Sequence, residues 1–347
     1  MKLDSRKSRI LQAIVHDYVS TAEPVGSQRL VACYDMGCKP ATVRNEMAEM
    51  ADLGYLVQPH TSAGRIPSDR GYRYYVDVLM DVPNALSRRD AARARAESQA
   101  PQSDVTGLLL QTCRILSALT SYPSVATDPD VTVTTVVRLF LTRASMRHAL
   151  LVVLLSTGHV EHQLVEIETA PSDADLARIA NYLNSLFAGK ELQHAVRTDS
   201  VQELPGEIAR LGATTARILS AFNRTARALA ERRIYLEGTN RIFQHPEFQD
   251  VRRLENLLAV LQQQGAMYQV LCRAMLGNDV TIAIGTENEL ARMQECSVVS
   301  RQYTIECRPA GYVAVVGPTR MDYARVAAAV NLMADSLSQT LTNLSLA

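Results

Sequence analysis

The sequence predicts an α+β protein of several domains, and three observations predict it. Helical periods followed by a two-strand hairpin fill the first eighty residues. Strand-like runs joined by short turns occupy the middle, and strands alternate with helices through the last third. A length of 347 residues exceeds what one ordinary core holds. Hydrophobic residues at 47% and charged residues at 21% give the balance of a globular chain, not a disordered one.

In residues 5 to 20, Ile10, Leu11, Ile14, Val15, Tyr18 and Val19 form one helical stripe. Pro24 and Gly26 break the period, and Ser27 is placed to cap a short helix from Gln28 to Tyr34. Gly37 ends that unit. Pro40 suits the first turn of a third helix running to about Leu53, because its missing N–H is not needed there. Val43, Met47, Met50 and Leu53 face inward. Gly54 stops the helix, Tyr55–Val57 reads as a strand, and residues 58 to 65 read as a hairpin turn. Ser68 precedes a further helix carrying Tyr72, Tyr74 and Tyr75, which fit packing better than base stacking. Three helices and a hairpin in this order are a winged helix-turn-helix, whose third helix has the length to enter a major groove.

Arg88–Glu97 is a helix former with hardly any apolar face, read as a solvated connector ending near Pro101. Leu108, Leu109, Ile115, Leu116 and Leu119 mark an amphipathic helix over 105–119, followed by a loop to Asp130. Strands are predicted over Val131–Thr142, His148–Leu155 and Val160–Ile167, an antiparallel meander. Helices follow over Asp173–Ala188 and Glu207–Glu231, then a strand at Tyr235–Gly238 and helices over Glu247–Gln263 and Ala266–Leu276. The chain closes with strand Val280–Gly285, a short helix at Glu287–Met293, strands Cys296–Tyr303 and Gly311–Gly317, and a helix from Asp322 to about Leu341.

A formal net charge of zero does not exclude nucleic acid, because placement of charge decides binding. Arg44 and Asn45, early in the third helix, are the residue types that read guanine and adenine through paired hydrogen bonds. Lys39 and Thr42 suit phosphate contact or helix positioning. Ser27 and Gln28, at the start of the second helix, are phosphate candidates. In the hairpin His60, Thr61, Ser62 and Arg65 supply donors, and Gly64 permits close backbone approach. Arg70 and Arg73 are placed to brace neighbouring phosphates. The competing readings pair Arg44 with Glu46 or Glu49, leave Asn45 on the helix surface, and make His60 a turn residue.

Other function classes lack support in the sequence. The strongest apolar run, Ala149–Leu155, falls far short of a membrane span, and the charged N-terminus does not suit a signal peptide. This predicts a cytoplasmic, nucleoid-associated protein. The six cysteines are scattered without a CxxC pair, and Cys33 and Cys38 have no second half of a metal site. There is no P-loop, GxGxxG, GxSxG or HExxH, so neither an enzyme nor a cofactor is expected. His159 and His162 read as surface histidines.

Several stretches resemble the HrcA family, the repressors of bacterial chaperone operons. Near the N-terminus these are Thr21–Ser27, Pro40–Met47, Leu53–Leu56, Gln58–Pro67 and Asp69–Arg73. Distally they are Pro246–Phe248, Gly285–Asn288 and Gly317–Tyr323. The resemblance implies a winged helix-turn-helix plus a GAF-like α+β domain carrying an inserted dimerisation domain, a three-stranded antiparallel sheet with helices. Mapped here, residues 1–81 form the DNA-binding domain. Residues 82–124 form a linker and the first helical part of the GAF-like domain, 125–230 the insertion, and 231–347 the remainder. The resemblance further implies a homodimer on double-stranded operator DNA, an inverted repeat of the CIRCE type, and regulation by a GroE-type chaperonin. The alternative is a repressor whose GAF-like domain answers to a small ligand.

Overall fold

The computed structural model describes residues 3–345 except 62, 84, 101, 103, 131–132, 168–170, 198–205, 231–232 and 273–278. Ser62, and the expected element ends at Val131, Glu231 and Leu276, therefore lie outside the described residues.

Helix α1 (Ser5–Thr21) begins where the Asp4 carboxylate accepts from the Lys7 amide, and it buries Ile10, Leu11, Ile14 and Val15. Helix α2 (Ser27–Cys33) is preceded by Gly26 at the N-cap. Ser27 is its first residue, not the expected cap. Helix α3 (Pro40–Asp52) has Pro40 in its first turn and buries Val43, Met47 and Met50. Strands β1 (Leu56–Val57) and β2 (Ile66–Pro67) pair antiparallel, and Arg65 bridges to Val25. Helix α4 (Asp69–Tyr74) is capped by Ser68 and continues as a π-helical turn over Tyr75–Leu79.

Helix α5 (Arg88–Ser98) is not the free connector expected. It buries Ala94, and Asp90 pairs with Arg325 at 3.2 Å. One alanine suffices to dock a helix that has almost no apolar stripe, which is why periodicity missed it. Helix α6 (Val105–Thr120) leads into β3 (Ser124–Thr127), expected as loop but fully buried between two other strands. Its four residues sit between Pro123 and the pair Asp128-Pro129, so the flanking turn formers hid it.

The middle of the chain holds β4 (Val136–Arg143), β5 (His148–Leu155) and β6 (Val160–Glu166), an antiparallel sheet in that order as expected. One face of it packs on α7 (Asp173–Phe187) and α10 (Gly212–Ala230) through Leu139, Leu151, Val153, Phe187 and Phe222. Short helices α8 (Leu192–Arg197) and α9 (Gly206–Ala209) lie between them in the chain.

The GAF-like body closes with β7 (Ile234–Glu237), α11 (Val251–Gln262), α12 (Gln264–Cys272), β8 (Thr281–Ile284), β9 (Cys296–Ile305), β10 (Arg308–Pro318) and α13 (Tyr323–Ser345). Its sheet runs β7-β3-β10-β9-β8, all antiparallel. Leu109, Leu116, Val330 and Met333 of α6 and α13 cover one face. Leu257, Leu261 and Met267 of α11 and α12 cover the other. Because β3 belongs to this sheet, the expected boundary at residue 125 falls inside a strand. The three-stranded unit is an excursion between Thr127 and Ile234. The expected helix at Glu287–Met293 is two 3-10 turns, Gly285–Glu287 and Ala291–Met293.

Candidate nucleic-acid interface

The N-terminal elements leave one open cleft, about 420 Å³, between the start of α2, the outer side of α3 and the hairpin. Gly26, Ser27, Arg44, Gln58, Thr61 and Arg65 line it, and no acidic residue does among the described residues. The cleft exists because the wing folds back onto the segment before α2. Val25 and Arg65 exchange backbone hydrogen bonds of 3.0 and 2.9 Å. A Cβ on Gly64 would lie 2.4 Å from the Val25 carbonyl, so glycine is required there for packing within the protein. The close approach expected of Gly64 is thus to Val25. Sequence reading missed Gln58, whose side-chain amide donates to the Thr61 and Ala63 carbonyls at 3.0 and 3.2 Å and braces the wing tip. Its signal was its place at the head of the hairpin turn.

Arg44 is exposed on α3, and among the described residues it has no hydrogen-bond or ion-pair partner. Its expected rivals for pairing are engaged elsewhere. Lys7 of α1 reaches Glu46 at 2.7 Å, Glu49 at 3.0 Å and Asp4 at 3.1 Å. Those carboxylates, Glu46 foremost, raise the Lys7 pKa and hold it charged. Glu46 and Glu49 are thereby held by α1, and neither pairs with Arg44.

Of the sequence candidates, Ser27, Arg44, Thr61 and Arg65 converge on the cleft, and Ser27 is buried at its floor. Gln28, Lys39, Asn45 and His60 are exposed on the same elements without lining it, and Thr42 is half-buried. Lys39 occupies the N-cap of α3 and forms no side-chain cap, so no side chain closes that helix end. Arg70 turns back on its own domain. It donates to the Leu53 carbonyl at 2.9 Å and stacks over Tyr55 at 4.6 Å, closing the C-terminal end of α3. Arg73, expected at a phosphate, reaches Glu287 of the body and Asp77 instead. His159 is half-buried against Glu161 at 3.1 Å, while His162 is exposed. No group of three metal-ligating side chains occurs among the described residues.

Fold and cleft together define a winged-helix protein mounted on a GAF-like body with an inserted three-stranded unit. The model of the HrcA protein C-terminal domain family matches residues 106–327. The heat-inducible transcription repressor HrcA of Pelotomaculum thermopropionicum is 37% identical over 98% of this chain and 97% of its own. That of Moorella thermoacetica is 36% identical over 99% of both. A crystal structure described as a hypothetical protein shares the fold with a TM-score of 0.71 at 24% identity, over 99% of this chain and 100% of that one. The chain belongs to the HrcA family.

Proposed function

We propose that this chain is a heat-inducible transcription repressor that binds an inverted-repeat operator of the CIRCE type as a homodimer. One observation carries the reading. The polar cleft brings together two arginines, Arg44 of α3 and Arg65 of the wing, with no acid among the described residues of its lining. Phosphates supply most of the affinity in such a site and base edges the specificity. Arg44 and Asn45 are the base readers, Lys39, Gln28 and Thr42 contact phosphate, and the wing residues His60, Thr61, Ser62 and Arg65 hold the flanking backbone.

The dimer follows from charge and from an apolar surface. Ten basic residues against eight acidic ones leave the first 76 residues near +2, a weak lone grip. Two such grips on one frame act at high effective concentration. The outer face of the inserted sheet presents Phe140, 45% exposed, and Leu164, 60% exposed. On β5, Val152 lies opposite Phe140 and Leu150 opposite Leu164, with Arg138, Thr142 and His162 on the same face. An exposed sheet face with such an apolar centre is what an isologous dimer buries. The excursion between Thr127 and Ile234 is therefore the dimerising unit. Footprinting on promoter DNA tests the reading. A symmetric protected repeat is expected, and protection of no symmetric site at moderate salt overturns it.

A GroE-type chaperonin sets how much repressor is folded. The physical requirement is marginal stability, where one or two kcal/mol shifts the folded population several-fold. The absence of tryptophan and only 5% aromatic residues accord with a core short of large anchors. Refolding with and without chaperonin, scored by operator binding, decides this part; equal recovery rejects it.

A further inference from the structure

Three distal segments that carried the family resemblance are untouched by the operator reading; two meet the winged helix directly and the third through Arg320. In Gly285–Asn288, the Thr286 amide and hydroxyl each donate to Asp69 Oδ2 at 2.9 Å. Arg73 donates to both Glu287 oxygens at 2.8 and 2.5 Å and to the Ile282 carbonyl at 2.5 Å. Glu287 also accepts from the Ile284 amide at 2.8 Å, so its carboxylate is anchored to the body. Gly285 has φ +51°, and a Cβ there would lie 2.3 Å from the Asp69 carboxylate.

The other two segments act at α1. Arg320 donates to both carboxylate oxygens of Glu247, at 2.5 and 3.2 Å, and to the Val19 carbonyl in the last turn of α1 at 2.5 Å. Arg320 is only 8% exposed. Between the two polar sites the buried rings of Tyr72 and Tyr323 meet edge to face, centroids 5.6 Å apart. None of the cleft residues Ser27, Arg44, Thr61 or Arg65 takes part in these contacts.

A metabolite site is the obvious alternative use for the Gly285–Asn288 loop. The cavity beside it, lined by Thr281, Glu287, Asn288 and Ser300 among others, holds about 60 Å³. Ligand pockets run to roughly 300–1,000 Å³. The loop instead spends its polar groups on the winged helix.

We infer that these segments form an intramolecular docking seat, and that Asp69, Arg73, Glu287 and Arg320 are positioning residues that set the half-site spacing an operator must have. The winged helix leaves α3 free and is held on the side opposite in function, by α1 and α4. An ion pair and hydrogen bonds at one edge, a buried guanidinium at the other and an aromatic contact between them resist both rotation and sliding. Two recognition helices read one duplex only when their separation matches a whole number of helical turns. A rigid seat makes that separation a property of the protein; a loose one lets each winged helix adjust.

The inference rests on the dimeric operator reading, so its test has one arm without DNA. Spin labels on exposed Gln12 of α1 and Gln339 of α13, with exposed Cys33 and Cys307 and half-buried Cys38 changed to serine, report the seat directly. The wild type gives one narrow distance distribution. Arg73→Ala and Glu287→Ala each broaden it, and the double variant is no broader than either single, because both break the same contact. In the DNA arm, two base pairs inserted between half-sites weaken wild-type binding at least tenfold and weaken Arg73→Ala binding less than threefold. An unchanged distribution in the folded variants overturns the seat. An unchanged spacing penalty in Arg73→Ala overturns its role in specificity. Failure of the wild type to bind any inverted repeat sinks the operator reading and leaves the distance measurement to judge the seat alone.

Discussion

Truncating Arg44 to alanine separates reading of DNA from folding. The side chain is exposed and no described residue pairs with it, so its removal leaves no buried group unsatisfied. Surface changes of this kind shift stability within about 0.5 kcal/mol. A paired hydrogen bond to guanine discriminates by about 1–3 kcal/mol. With one Arg44 in each half-site, the dimer loses about 2–6 kcal/mol, a weakening of roughly thirtyfold or more. Base preference relaxes at the contacted position at the same time. Lys39→Ala provides the contrast: its loss lowers affinity on all sequences alike and flattens the salt slope by about one unit per protomer. Anisotropy titrations of operator and base-substituted operator at several salt concentrations measure both effects. Operator affinity within twofold of wild type, with base preference intact, would refute the assignment of Arg44.

Two further perturbations probe the frame that carries this site. Leu164→Asp places a charge on the outer face of β6, where leucine is 60% exposed in the single chain. Losing about 2 kcal/mol of leucine burial on each side, plus the cost of covering a charge, raises the dimer dissociation constant at least about a hundredfold. Sedimentation then finds monomers at micromolar concentration, and a persisting dimer places the interface elsewhere. Asp128, half-buried where the chain leaves β3, has its carboxyl pKa raised by burial, against the lowering effects of Tyr235, His159 and Arg233. The folded protein therefore holds this proton more tightly than the unfolded chain. Stability falls as pH rises from the ordinary carboxylate value through the raised one. Asp128→Asn removes that loss, so melting temperature rises at neutral pH and changes little near about pH 4. An equal gain at both pH values contradicts the titration argument.

Much of the architecture was legible because it rests on local rules. Val43, Met47 and Met50 recur at helical spacing, Pro40 and Gly54 punctuate α3, and short turns separate the three apolar-rich runs that become β4 to β6. The elements that escaped are those whose order comes from distant partners. β3 is four residues long and is made a strand by β7 and β10. α5 is docked by Ala94 and by Arg325, far along the chain. The same distinction divides the site. Arg44 and Arg65 could be placed from their own helix and hairpin. Arg70 and Arg73 resembled phosphate contacts because arginine type and nearness to the wing say nothing about which carbonyl or acid the folded chain brings beside them. Glu287, 214 residues from Arg73, decides the latter.

That long-range partner also answers a physical difficulty raised by the charge count. A winged helix near +2 gains little from non-specific attraction, which weakens further at physiological salt. In the proposed dimer, affinity comes from presenting two modest sites at once, and avidity is lost when geometry forbids simultaneous engagement. Conformational freedom at the body would have to be removed on binding, with ordering cost added to every encounter. Fixing the winged helix before DNA arrives moves that cost into folding, where Tyr72, Tyr323 and Arg320 are buried and Arg320 pairs with half-buried Glu247. Removing Glu247 leaves the buried Arg320 guanidinium without compensation, a cost of up to about 3–5 kcal/mol. On the proposed reading, the contact that keeps two recognition helices in phase is thus also one that supports the fold, and operator geometry and folded population are coupled through the same few side chains.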